Sequence, residues 1–258
     1  MANCQTPSSA EYRFSSDYNR LIPIDSSQDL PILVKVPNSK PACYKAINNA
    51  DLTNLTFFSY GSIDAIYESV YPKDNTHLLK WVKKVGGESE SRRLVSEVCS
   101  VGKLIDEIVI KHDLGQPIAP ISFRYHDYWQ GIQQILPHLK KPVYLNQGII
   151  VNFQLGVFGV IDRIGAYRNW ESTLIDTKAA LNPKTNLHWI EDKIRQIAAY
   201  LLLNDELYPV EVAGLIFCIK DGTVDEYFFD ANQIQPYQEA WLNRLEEVRY
   251  ICKAQSVA

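Results

Sequence analysis

Between Ser62 and Ile110 the apolar residues recur at spacings of three and four, first as Leu78, Leu79, Trp81 and Val82, then as Leu94, Val95, Val98, Val101, Ile105 and Ile108. That repeat is one face of an α-helix, and it predicts two helices. Gly86 and Gly87 interrupt the pattern between them. Glu88 and Glu90 then suit the first turn of the second helix, where the backbone dipole favours negative charge. A further helix is predicted from Tyr128 to Leu139, ending near Pro142.

Beyond Pro142 the period changes to two. The segments VYLNQ, IIVNFQ, VFGVIDRI and STLIDTK read as short strands separated by Asn, Gly and Arg-Asn-Trp turns, an antiparallel meander. A helix from about Leu187 to Leu203 follows. VEVAGLIFCIK and TVDEYFF are then two strands joined at Asp221-Gly222, a dipeptide that favours a tight hairpin. The last helix begins after Asp230 and carries Trp241, Leu242, Leu245 and Val248. Helices followed by a sheet with a helix crossing it describe one α/β or α+β domain over residues 53–258, with a helical lobe at about 58–140 and a sheet core at about 141–258. Residues 1–52 begin serine-rich and read as a loosely ordered N-terminal arm.

Composition narrows the function classes. A chain of 258 residues with 46% hydrophobic residues can bury a large core. Its formal charge is -4 and its sequence pI about 5.8, so no general basic field draws it to nucleic acid. DNA contact must then come from local clusters. One such cluster is Lys80, Lys83, Lys84, Arg92, Arg93 and Lys103, with Tyr60, Tyr67 and Trp81 nearby, since cations track phosphates and aromatic rings stack on unpaired bases. The same residues also suit a solvated helix face over a buried tryptophan. The five cysteines show no zinc spacing, and with no apolar leader they point to a reducing, intracellular setting. No apolar stretch is long enough to span a bilayer. No Walker loop, dinucleotide fingerprint or serine-hydrolase elbow occurs, and the five histidines show no paired spacing.

The chemistry concentrates in the meander. Positions i and i+2 of a strand share a face, so Asp176 and Lys178 project together. If their strand pairs with the preceding one across Tyr167-Arg168-Asn169-Trp170, Asp162 lies beside Asp176. Two adjacent carboxylates repel unless a cation neutralises them, which makes the pair a candidate site for a hard divalent metal. Such a metal polarises a scissile phosphate and activates water, with Lys178 orienting the water or stabilising charge on the phosphorus centre. A DxK triplet alone is more often an ordinary charged strand edge.

The neighbourhood adds to this. GVFGVIDRI, then STLIDTK, then a helix bearing RQIAAYLLL together resemble the RecB-like branch of the PD-(D/E)XK nucleases, in particular its mitochondrial genome maintenance exonuclease and bacteriophage members. The likeness runs through LLKWVKKVGGESESRRL and VGKLIDEIV upstream and GLIFCIKDG, EYFFDANQ and WLNRLEEV downstream, over roughly residues 58 to 250. It implies a restriction-endonuclease-like fold, in which a mixed sheet is flanked by helices, and a Mg2+- or Mn2+-dependent exonuclease acting on single-stranded DNA ends or flaps. Asp162 and Asp176 are then metal ligands, Thr177 offers its backbone carbonyl to the metal, and Lys178 is the catalytic lysine. Gln196 and Tyr200, one turn apart on the following helix, reach toward the active centre or the DNA backbone, or else serve as a polar cap and a core tyrosine. Two positions depart from the family pattern. Asp106 stands where a histidine is usual, as an oxygen ligand in its place, and Gln147 stands where a glutamate is usual. A nuclease fold weakened in catalysis, binding DNA or a protein partner, is the alternative these departures leave.

Overall fold

The computed structural model describes residues 7–27, 30–47, 52 and 55–257. Its elements are β1 (Ser9–Phe14), β2 (Arg20–Pro23), β3 (Ile32–Lys35), β4 (Cys43–Ile47), β5 (Thr56–Ser59), α1 (Tyr60–Val70), α2 (Thr76–Lys84), α3 (Glu88–Asp113), α4 (His126–Ile135), β6 (Leu139–Asn152), β7 (Val157–Tyr167), β8 (Trp170–Ala180), α5 (Glu191–Asn204), β9 (Val212–Ile219), β10 (Val224–Phe229) and α6 (Ala231–Val257). The helix boundaries follow the signals in the sequence. Gly87 caps α3 at φ 102°, Glu88 and Glu90 occupy its first turn, and Lys111 and His112 its last.

The central sheet is mixed. β6, β7 and β8 form the expected antiparallel meander, β8 runs parallel to β9 through the α5 crossover, and β10 returns antiparallel along β9. Helices cover both faces. Ile161, Leu174 and Leu215 pack with Ile197 of α5 and Trp241 of α6 on one side. Ile175, Ile216 and Cys218 pack with Ile105 of α3 and Ile132 of α4 on the other. The predicted segments VYLNQ and IIVNFQ are one continuous strand, β6, which turns through Gln147 at φ 49°. A Cβ on the next residue, Gly148, would lie 2.0 Å from the Leu145 side chain, so the close turn there requires glycine.

The N-terminal segment differs from expectation. Rather than forming a loose arm, residues 9–47 supply β1 to β4; residues 1–6 lie outside the described part. The pairing runs from β6 through β1, β2, β3, β4 and β5 to β7, and β7 also pairs with β6, so the ring closes. Tyr12, Leu21, Leu33, Phe57, Val151 and Phe158 fill its interior. β6 and β7 therefore belong both to a small barrel and to the helix-flanked sheet.

A buried ion pair locks α3 to this junction. Arg163 on β7 is 1% exposed and donates to Asp113 at 2.8 and 3.3 Å and to the carbonyls of Lys140 and Ala166. Asp113 also accepts from Asn146 at 2.7 Å. Removing one member of a buried pair strands the other charge, at a cost of about 3–5 kcal/mol. Asp113→Ala is thus expected to lower the melting temperature by roughly 10 °C, measurable by thermal denaturation.

Candidate active site

The β7–β8 ladder ends at the pair Arg163–Ile175, because β7 continues away to meet β5. The next residues along, Asp162 and Asp176, stand where the two strands fork. At the fork the Thr177 N–H donates to Asp162 Oδ2 at 3.0 Å, so the carboxylate stands in for the departed strand. Asp162 Oδ1 meets Gln147 Nε2 at 3.4 Å. Asp176 is 1% exposed, and its Oδ2 has no aligned hydrogen bond but lies 2.6 Å from Lys178 Nζ. In a buried setting such a contact is a close charge pair whatever its angle.

Asp106, on α3, faces the same fork. It lines one cleft of about 590 Å3 together with Asp162, Thr177 and Lys178. Burial raises its pKa, and the negative charge of Asp176 adds to the rise against the opposing pull of Lys178. Asp162 is raised strongly, first by burial and then by Asp176, with Lys178 and the Thr177 N–H opposing. Burial lowers the Lys178 pKa, but the surrounding carboxylates outweigh it, Asp176 most, and the net shift is upward. Among the described residues no group of three or more His, Cys, Asp or Glu side chains converges as a ready metal site. Lys178 pairs with Asp176 within the cluster.

The raised carboxylates set a sign for stability against pH. A native group that titrates above its unfolded value retains protons the unfolded chain releases, so its contribution declines as pH rises from the ordinary carboxylate range toward the raised value. Asp162→Asn cannot ionise at all. Its melting temperature relative to metal-free wild type is expected to climb between about pH 5 and about pH 8; a difference constant across that window would show that Asp162 is not the strained group.

The remaining expected residues divide. Lys103 lines the cleft. Lys80, Lys83 and Lys84 lie exposed on α2, apart from the residues that line it, and Trp81 is only half-buried there. Arg92 is paired with Glu88 at 2.9 Å, both well exposed, and Arg93 with Glu90 and the buried Glu97 at 2.7 and 3.2 Å. Gln196 donates to the Tyr200 hydroxyl at 2.9 Å, and Tyr200 is 6% exposed with its ring beside Gly159, where a Cβ would come within 2.9 Å. Tyr200 is thus a core residue behind the carboxylates, whose field adds to burial in raising its pKa. Thr177 engages Asp162 through its N–H at 3.0 Å.

Four charged or aromatic cleft residues are not marked by the sequence pattern, namely Lys184, Trp189, Asp192 and Lys193. They sit in the loop after β8 and the start of α5. Only the Asn, Pro and Lys richness of that loop hinted at a solvent-facing segment. The sequence matches no known family model and no curated protein.

Proposed function

We propose that this protein is a metal-dependent deoxyribonuclease of the PD-(D/E)XK type, exonuclease-like and acting on single-stranded DNA ends or flaps. The observation that carries the reading is the meeting of Asp162, Asp176 and Lys178 at the fork between β7 and β8, with Asp106 across the cleft. A mixed sheet flanked by helices on both faces agrees with the restriction-endonuclease-like plan. No described helix is long and apolar enough to cross a membrane.

The donors suit Mg2+ or Mn2+, because carboxylates of Asp106, Asp162 and Asp176 and the amide of Gln147 offer hard oxygens. Asp176 Oδ2, buried and 2.6 Å from the Lys178 ammonium, is the oxygen for which a metal would compete with that lysine. When bound, the metal supplies Lewis-acid polarisation of the phosphodiester and makes water a better nucleophile. Asp176 would hold the metal in place of the Lys178 ammonium. Lys178, held in its charged form by the carboxylates, orients the attacking water or stabilises negative charge developing on the phosphate. Asp162, fixed by the Thr177 N–H, keeps its second oxygen toward Gln147.

A second reading rests on a specific observation. The carboxylates do not converge as a ready triad, and Gln147 brings a neutral amide. This favours a fold weakened in catalysis that binds DNA or a protein. End-labelled single-stranded and duplex DNA, incubated with Mn2+ or with chelator, decides between them. Metal-dependent shortening of the single strand is expected, whereas a strand bound and left intact would establish the binding protein.

A further inference from the structure

We propose that Trp189 is a stacking platform for an unpaired base at the mouth of the cleft; the inference deepens the nuclease reading and rests on it. Of the five tryptophans, Trp241 is fully buried, Trp81, Trp129 and Trp170 are half-buried, and Trp189 is 61% exposed. Holding an indole in water forgoes the burial that large aromatic side chains normally gain. The segment is tethered on both sides. Before it, the Lys184 N–H donates to Asp225 at 2.5 Å, the Tyr227 hydroxyl donates to the Lys184 carbonyl, and Asn186 caps the short 3-10 turn Leu187–Ile190. After it, Ile190 is 1% exposed and anchored in the core ahead of α5.

The surroundings select the ligand. Trp189 lines the same cleft as Asp162 and Lys178, and Lys103, Lys184 and Lys193 line it as well. Asp192 also lines this cleft, paired with Lys193 at 3.0 Å. An exposed indole that shares a cleft with Lys103 and Lys184 fits a ligand with flat faces and a regularly spaced anionic backbone, as in a single nucleic-acid strand. A duplex buries its base faces in its own stack. The indole would therefore act on unpaired nucleotides, holding one base while the lysines hold the phosphates that lead to the fork.

The test is binding of a short labelled DNA strand with Ca2+ in place of the catalytic metal, against the same strand carrying abasic sites. Wild type is expected to bind the abasic strand roughly tenfold more weakly, the range of one lost base stack. Trp189→Ala should bind both strands alike, at the wild-type affinity for the abasic one, and Trp189→Phe should keep most of the preference and report an intact fold. A preference that survives in Trp189→Ala, or one missing from wild type that still binds DNA, overturns the platform alone. Wild type that binds no strand overturns the nuclease reading together with it.

Discussion

Replacing Lys178 by alanine is expected to slow strand cleavage by about a thousandfold, the scale of one positioned acid-base or charge-stabilising group. Affinity for uncleaved single-stranded DNA should change little, because a group acting on developing charge contributes mainly in the transition state. The structure adds a second consequence. Lys178 is the cation now at Asp176, 2.6 Å from Oδ2, and it competes with any metal for that oxygen. Lys178→Ala should therefore bind Mn2+ more tightly than wild type while cleaving far more slowly. Single-turnover cleavage and a manganese titration on the same preparation separate the two effects. Undiminished cleavage would remove Lys178 from the chemistry, and unchanged metal affinity would remove it from the metal's competitors.

The second large effect concerns the metal itself. A cation that binds only the folded chain stabilises it by about 2.7 kcal/mol at roughly a hundredfold excess over Kd. For a chain of this size that corresponds to a rise of roughly 5–10 °C in melting temperature. Asp176→Asn removes a buried ligand charge and also deprives Lys178 of its partner, so the variant should lose most of the rise with Mn2+. It should also melt below wild type without metal, since the ammonium is left beside an uncharged amide. Equal metal responses in the two proteins would put the ion elsewhere.

The sequence disclosed the parts of this molecule whose partners are close along the chain. The β7–β8 hairpin with its two aspartates and lysine, the β9–β10 turn at Asp221-Gly222 and the start of α3 after Gly87 each rest on neighbouring residues. The barrel was hidden because β1 to β5 are only 4 to 6 residues long and the barrel closes on β6 and β7, far down the chain. No local period encodes that closure. The same distance effect governed the cleft. Lys103 and Asp106 lie an i and i+3 step apart on one helix, so α3 carries both to the cleft, whereas Trp189 and Lys193 reach it only through the connection from β8 into α5. The partners of Arg92 and Arg93, by contrast, lie three and four residues away on the same helix, as Glu88, Glu90 and Glu97.

The closed ring also sets a schedule for synthesis. β1 through β5 leave the ribosome by Ser59, yet β6 begins only at Leu139 and β7 at Val157. At ordinary elongation rates that interval is on the order of ten seconds. Throughout it Leu21, Leu33 and Phe57, all wholly buried in the finished protein, have no complete core to enter. The nascent chain therefore carries a sheet with two open edges, at β1 and β5, and an uncovered apolar face for longer than hairpins take to form, a window in which chaperones or aggregation can act on it. Slower translation across residues 60–138 would lengthen that exposure.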